Sequence, residues 1–332
     1  MKQNLILVDM PVTQDWGVLK GLKDVTGEDW KIAYKEGRLD VPRWRRILNF
    51  VVFPFTLLFY NEKNVVAWQQ FFGFFFLLYC QLFHVKRNVN VLILTFIYKE
   101  RKGLAGRIYK YFIKNILEDS RLKKVVVYSE NEVRFYSVIF PSVKDKFVFL
   151  PLGISKIVLK DENNELDKSY DYIFTAGASN RDYDFLFSVF KDSKYSVKIA
   201  CDSLNNEGTA NIEVLRNVHG NRMYEYLYKC KMVVIPLKNL DISSGQLMLL
   251  QAMQMGKPII VSNNKGIYDY ITDGKEGFIV ENNKKIWLAK VEELFDNSEL
   301  YSAMSYCQMN SFNTKFTDYS LGKNIGNEFR KL

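Results

Sequence analysis

Residues 232–280 read MVVIPLKNLDISSGQLMLLQAMQMGKPIIVSNNKGIYDYITDGKEGFIV, and the punctuation of this stretch decides the fold. A short apolar run from Met232 ends at Pro236, which cannot donate to a sheet ladder. The turn Asp241-Ile242-Ser243-Ser244-Gly245 leads into a helical pattern from Gln246 to Met255, which stops at Gly256. Pro258–Ser262 and Gly277–Val280 then read as further strands. Strand, helix and strand in immediate succession are the unit of a parallel sheet.

The same alternation extends outward. Tyr172–Thr175 and Val197–Ala200 read as strands, with helical patterns at Tyr183–Phe190 and Met223–Lys229. In the first half Leu5–Val8, Asn64–Trp68, Val89–Phe96, Lys124–Tyr128 and Lys146–Leu150 read as strands. Ala105–Leu117 places Ile108, Phe112, Ile113, Ile116 and Leu117 on one helical face. Ser129 with Glu132 reads as a capping box. Lys160–Ser169 is polar and without apolar period, and reads as an interdomain linker. Two doubly wound α/β domains are expected, residues 1–160 and 161–332, with the last helix, about 316–332, able to pack back on the first. Ligands of such sheets bind outside the carboxyl ends of the strands, and the cleft between two facing domains is the expected site.

The chain has 332 residues, 48% apolar and 25% charged, with a formal net charge of +9. This is a globular composition. The charge is uneven: 26 Lys and Arg against 14 Asp and Glu in residues 1–160, and 20 against 23 in residues 161–332. A basic half calls for an anionic partner. Arg43-Trp44-Arg45-Arg46 opens an apolar run from Ile47 to Tyr60, and a second run spans Phe71–Phe83. Each is shorter than the ~20 residues of a spanning helix. Basic and aromatic residues beside a short apolar helix suit the bilayer interface, so the segment around 43–60 is expected on an anionic membrane surface. Phe71–Phe83 reads equally as a buried helix. Nucleic acid is excluded by the lack of any recognition motif. Cys80, Cys201, Cys230 and Cys307 are scattered, which points to reduced thiols and no zinc site. Met1–Met10 reads as a first strand and not as a signal peptide.

A Ser-Ser-Gly turn entering a helix presents N–H groups at the positive dipole end, a phosphate site, at Ser243, Ser244 and Gly245. Leu250-Gln251-Ala252-Met253, Gly256-Lys257-Pro258-Ile259-Ile260-Val261, Gly266-Ile267-Tyr268-Asp269-Tyr270-Ile271, Asp273-Gly274 and Gly277-Phe278-Ile279-Val280 follow. This succession resembles the donor-binding half of GT-B glycosyltransferases, especially glycosyltransferase family 4 and related bacterial polysaccharide enzymes. The resemblance is dense over residues 230–281. It implies two Rossmann-like domains and transfer of a sugar from a nucleotide-sugar, a UDP-sugar favoured, to a lipid-linked or polysaccharide-precursor acceptor, on the cytoplasmic face of the membrane. No cofactor and no metal are expected.

Thr175-Ala176-Gly177-Ala178-Ser179-Asn180-Arg181 is similar to the family's glycine-rich turn, which assigns Gly177, Asn180 and Arg181 to the donor diphosphate. An arginine fork suits phosphate oxygens. His219 falls in the loop that usually holds the base. Asp182-Tyr183-Asp184 spells DxD at a helix start, where aspartate is favoured as a cap. Lys238 and Lys257 are weaker candidates for the phosphates.

One departure matters. Retaining members of the family carry two glutamates eight positions apart, where this chain has Ser243 and Gln251. Gln251 can hydrogen-bond a ribose. Ser243 brings no negative charge, so inversion is expected, with a carboxylate base in the first half. Asp15 is the first choice, Asp9 the second and Glu100 the fallback. The rivals are a catalytically weak partner that localises an active transferase, and a sugar-nucleotide epimerase.

Overall fold

The computed structural model describes residues 3–35, 42–59, 62–86, 88–159 and 171–332. The chain forms two compact units, Met1–Leu150 with Asp318–Leu332, and Pro151–Thr317. The stretch 160–169, read above as a linker, lies outside the described residues.

The first unit runs β1 (Gln3–Val8), α1 (Gly17–Thr26), β2 (Trp30–Tyr34), α2 (Arg43–Thr56), β3 (Glu62–Ala67), α3 (Gln70–Leu82), β4 (Asn90–Ile93), α4 (Gly103–Glu118), β5 (Leu122–Val127), α5 (Glu130–Ile139) and β6 (Phe147–Phe149). Its sheet has the order β2-β1-β3-β4-β5-β6, and all pairs are parallel. Alternate residues of each strand enter opposite cores, as the pleat requires. Leu7, Val91, Ile93 and Val125 pack with Phe72, Phe76 and Ile116 on one face. Ile6, Val8, Leu92 and Val126 pack with Leu22, Leu321 and Ile325 on the other.

The second unit runs β7 (Tyr172–Ala176), α6 (Tyr183–Phe190), β8 (Ser196–Ala200), β9 (Ile212–Leu215), α7 (Asn221–Lys229), β10 (Met232–Ile235), α8 (Gln246–Gln254), β11 (Ile259–Ser262), β12 (Phe278–Val280), α9 (Lys284–Asp296) and α10 (Ser298–Lys315). Its sheet order is β12-β11-β10-β7-β8-β9, again all parallel. Every residue of β10 and β11 is buried, as strands covered by helices on both faces must be. The start of this unit is tied down by Leu152 N–H donating to the Tyr270 hydroxyl at 3.1 Å and Ile154 N–H to the Phe316 carbonyl at 3.0 Å.

Two strands escape the sequence pattern, β2 and β9, and both are sheet edges. An edge strand is covered less, and Lys31, Tyr34 and Glu213 break the apolar run there. The capping box is present, with Ser129 Oγ accepting from Glu132 N–H at 3.1 Å and Glu132 Oε2 accepting from Tyr128 N–H at 3.0 Å. Phe71–Phe83 is α3 together with its C-cap, and its body is core: Phe72, Phe74, Phe76 and Leu77 are buried. The expected single apolar face of α4 divides. Ile113, Ile116 and Leu117 are buried, whereas Ile108 and Phe112 are exposed.

A final helix, α11 (Asp318–Arg330), belongs to the first unit and crosses α1. The crossing is close because glycines meet backbone. A Cβ on Gly21 would lie 2.3 Å from the Tyr319 carbonyl oxygen, and one on Gly322 would lie 2.3 Å from that of Val18. Gly21→Ala and Gly322→Ala are each expected to destabilise the protein by ~1–3 kcal/mol through overpacking. The denaturant midpoint measures this, with faster amide exchange along α11; an unchanged midpoint in both variants rules out the backbone contact as what seats the helix.

Candidate functional site

In the second unit the chain runs β7, β8, β9 to one side and returns to place β10 beside β7, so the order reverses between β7 and β10. Such a reversal opens a crevice at the carboxyl ends of the two strands. The loops that follow β7 and β10 are the two in which the sequence placed phosphate-binding residues.

They are stitched together by Asn180. Its Nδ2 donates to Ser244 Oγ at 2.7 Å and to the Asn239 carbonyl at 2.8 Å, while its Oδ1 accepts from Asn239 N–H at 2.8 Å. Its carbonyl accepts from Lys238 N–H, and Asp182 N–H donates to the Pro236 carbonyl. Asn180 adopts φ +54°, a left-handed conformation that asparagine tolerates better than most residues. The amide therefore positions the loop and is spent on it. Gly245 begins α8 at φ +92°, and Ile235 Cγ2 would sit 3.1 Å from a Cβ there, so both conformation and space require glycine.

Arg181 is half-buried beneath these loops. Its Nε donates to the Ala176 carbonyl at 3.2 Å and its Nη1 to the Ser179 carbonyl at 3.1 Å. No carboxylate among the described residues pairs with it. Burial pulls its pKa below the usual arginine value, although an arginine stays charged in any protein. A desolvated cation without a counter-ion is costly, and an anionic ligand relieves that cost. Gly177 lies against the guanidinium, where a Cβ would be 3.3 Å from Nη2.

The helix α8 is buried nearly all round, yet it carries three glutamines, Gln246, Gln251 and Gln254, the last accepting from Ile157 N–H at 2.9 Å. Gln251 is buried and makes no hydrogen bond with a described residue. Gln246 is also buried, and its Nε2 has no partner. Ser243 stands against the loop after β11, where Gly266 leaves room for its hydroxyl: a Cβ on Gly266 would lie 2.4 Å from Ser243 Oγ. That loop is held by Asn264, which donates to the Ile242 carbonyl at 2.9 Å and accepts from Gly266 N–H at 2.9 Å. Ser262 Oγ accepts from Leu237 N–H at 2.8 Å and donates to Asn282 Oδ1 at 2.6 Å. Sequence reading missed this amide network. Its signal was the cluster of Asn and Ser residues just after β11 and β12, types that bond to nearby backbone.

The remaining candidates separate. Lys238 is exposed at the end of β10, with no ion pair among the described residues, and stands with the site. Lys257 does not. It follows the C-terminal end of α8 and precedes β11, so it lies at the opposite end of the sheet, with its ammonium 5.4 Å from the Tyr228 ring. The DxD sequence is structural at its first position, since Asp182 caps α6 by accepting from Phe185 N–H at 3.0 Å. His219 is exposed after β9, with Nε2 2.9 Å from Asp202 Oδ2. The Asp273-Gly274 segment also serves shape: Asp273 accepts from Ile279 N–H at 2.8 Å, and buried Glu276 accepts from Ser311 Oγ at 2.9 Å.

In the first unit the order reverses between β1 and β3. Asp9 follows β1 and accepts a hydrogen bond from Gln69, which follows β3. Burial holds its pKa above the ordinary carboxylate value, against the lowering effect of these hydrogen bonds. Asp15 is fully exposed, and its hydrogen bond with Thr13 lowers its pKa. Glu100 is exposed and lies 3.5 Å from Lys110 Nζ. The two aspartates thus differ in environment: the hydrogen bond with Thr13 lowers Asp15, and partial burial lifts Asp9.

Residues 153–308 match the family described as glycosyl transferases group 1. The match covers 156 of the 332 residues and lies within the second unit. An uncharacterized glycosyltransferase of Methanocaldococcus jannaschii, MJ1178, is 22% identical over 169 residues, 48% of this chain and 46% of that protein. The chain thus matches less than half the length of this relative. Among solved structures, sucrose-phosphate synthase from Thermosynechococcus elongatus superposes with a TM-score of 0.68 at 12% identity, covering 99% of both chains. Anabaena Alr3699/HepE in complex with UDP and glucose superposes with a TM-score of 0.66 at 8% identity, covering 100% of both. The fold is GT-B.

Within the second unit, the charge of Arg181, without a counter-ion among the described residues, makes a two-sided prediction. Arg181→Met is expected to raise the melting temperature of the ligand-free protein, since it removes a desolvated cation. It should also weaken nucleotide diphosphate binding by about ten- to a hundredfold, the worth of a charge-assisted hydrogen bond. Calorimetry and a thermal melt on one sample test both; a lower melting temperature with unchanged affinity refutes the assignment.

Proposed function

We propose that this chain is a glycosyltransferase that binds a nucleoside-diphosphate sugar, a UDP-sugar favoured, and moves the sugar to a lipid-linked or polysaccharide-precursor acceptor at a membrane surface. The observation that carries the reading is Arg181, a desolvated cation without a counter-ion among the described residues, at the switch point of the unit that matches the group 1 glycosyl transferases. Its fixed fork, Lys238 and the N-terminus of α8 supply positive charge for a diphosphate leaving group, without calling on a metal. Gln251, a buried amide with no hydrogen bond to a described residue, supports a contact with a ribose hydroxyl. That Alr3699/HepE was crystallised with UDP and glucose supports the donor class.

The reaction is an inverting displacement in this proposal. The acceptor hydroxyl attacks the anomeric carbon, its proton passes to Asp9, and the carbon–oxygen bond to the diphosphate breaks with the electron pair leaving on phosphate. Ser243 and Gln251, where retaining relatives carry glutamates, support this route. They equally favour a second reading, a nucleotide-binding partner without turnover. The membrane context is supported by α2, whose outward residues Trp44, Ile47, Leu48 and Val52 are about half exposed or more. No helix among the described residues is long and apolar enough to span a bilayer.

Titration of the protein with UDP, GDP and dTDP, followed by transfer assays on membrane extracts with and without EDTA, tests the proposal. One nucleotide is expected to bind, and turnover to survive chelation. Binding without turnover favours the partner reading, and no binding by a folded sample sinks both.

Two variants sharpen the assignment. Asp9→Asn is expected to lower turnover by ~10²-fold or more while donor affinity is kept. Because the folded-state pKa of Asp9 is raised, its ionisation opposes folding, and that penalty grows as pH rises from the unfolded value through the folded one. Asp9→Asn should therefore be more stable than the parent at neutral pH, with the advantage vanishing in acid; equal stability at both pH values would argue against a desolvated Asp9. Gln251→Leu should hold or raise the melting temperature while weakening nucleotide affinity by about five- to tenfold, since one net hydrogen bond is lost.

A further inference from the structure

In the first unit α2, α3 and α4 lie side by side. Phe55 of α2 stands 5.4 Å from Tyr79 of α3 and 5.8 Å from Phe83, ring to ring. Asn115 of α4 donates to Gln81 of α3 at 3.0 Å. Each flanking helix is apolar on two opposite faces. α2 turns Phe50, Phe53 and Leu57, the residue at its C-terminal end, toward the core, and Trp44, Leu48, Val52 and Phe55 toward solvent. α4 turns Ile113, Ile116 and Leu117 inward, and Leu104, Ile108, Tyr111 and Phe112 outward. Leu104, Ile108 and Tyr111 are 73%, 62% and 74% exposed. Their spacing of four and three residues makes one stripe. Among the described residues, fourteen of the twenty-six exposed large hydrophobic side chains fall between Trp44 and Phe112. That concentration is far from the scatter of an ordinary surface.

The charge around this face has one sign. Residues 42–115 contain twelve Lys and Arg and two Glu. Of the two, Glu100 is paired with Lys110 at 3.5 Å. Arg45, Arg46, Lys99, Lys102 and Arg107 make no ion pair with a described residue. Arg107 borders the α4 stripe directly, and Arg101 is held over the Tyr109 ring at 4.5 Å.

We infer that the outer faces of α2 and α4, joined by the aromatic edge of α3, form a single plane that docks on a bilayer rich in anionic lipid, with α4 as a second anchor equal to α2. The apolar stripes enter the acyl boundary and the unpaired cations meet the headgroup phosphates. This deepens the membrane reading of residues 43–60 and rests on it. It gives the first unit two parallel supports in place of one, which fixes its orientation to the membrane and not merely its attachment.

The test is co-sedimentation of the full chain with phosphatidylcholine vesicles, with and without phosphatidylglycerol. Binding is expected only to the anionic vesicles, and it should weaken as salt rises from about 0.1 M to about 0.5 M. Leu104→Gln combined with Ile108→Gln alters only exposed side chains, so melting temperature and nucleotide binding should not change. Vesicle affinity should fall by about tenfold, as expected when two partly inserted aliphatic side chains are lost. Trp44→Gln combined with Leu48→Gln should produce a similar loss. If the α2 pair abolishes binding and the α4 pair leaves it untouched, the two-helix plane is wrong while the membrane reading of residues 43–60 stands. If the parent binds no vesicle, both fail. If the parent self-associates and the α4 pair renders it monomeric without any vesicle binding, the face belongs to a second copy and the proposal is overturned.

Discussion

The parallel pairing of β7 with β10, which sets Met232 against Ile173 and Val233 against Phe174, is the constraint from which the candidate site follows. These two strands are distant in the chain, with α6, β8, β9 and α7 between them. Parallel strands need crossover connections, and a right-handed crossover on each side of the starting strand leaves the loops at its carboxyl end splayed apart. The loop carrying Arg181 and the loop carrying Ser244 are neighbours only because their strands are. Everything else at the site holds that adjacency in register: the four hydrogen bonds of Asn180, the antiparallel bridge between Arg181 and Leu237, and the Ser262–Asn282 pair behind them.

The polar groups of this region fall into two kinds. Asn180, Asn264, Ser262 and Asp182 are bonded to backbone and, for Asn180 and Ser262, also to Ser244 and Asn282, and what they supply is shape. Arg181, Lys238 and Gln251 are left without charge or amide partners among the described residues. Buried polar groups are normally satisfied, so the exceptions stand out. Folding alone gives no reason to keep a desolvated guanidinium and a buried amide that bonds to no described residue.

The first unit shows the same logic twice. At its switch point Asp9 and Gln69 come from loops after β1 and β3, and partial burial separates Asp9 from the solvated Asp15. On its outer face α2 and α4 keep apolar residues exposed, Trp44 and Leu48 on one and Leu104 and Ile108 on the other. Both helices satisfy the core with one face and leave apolar residues exposed on the other.

The sequence by itself determined the alternation of strands and helices, the two parallel sheets, and the glycine-ended turn before α8. Those features are local: runs of β-branched residues, helix stops at Gly256 and Pro258, and a Ser-Ser-Gly turn need no distant contact. The capping roles of Ser129 and Asp182 were legible for the same reason. The edge strands β2 and β9 were not, because a strand covered on few sides mixes polar and apolar residues. Tertiary structure decided which polar residues are free and which are consumed. Asn180 and Arg181 are adjacent and alike in sequence, yet one is spent on Asn239 and Ser244 while the other stays unpaired. It also set Lys257 at the far end of the sheet, raised Asp9 above Asp15, and turned Leu104 and Ile108 outward. Burial and partnership depend on which strands and helices become neighbours, and that is fixed only when the sheets close.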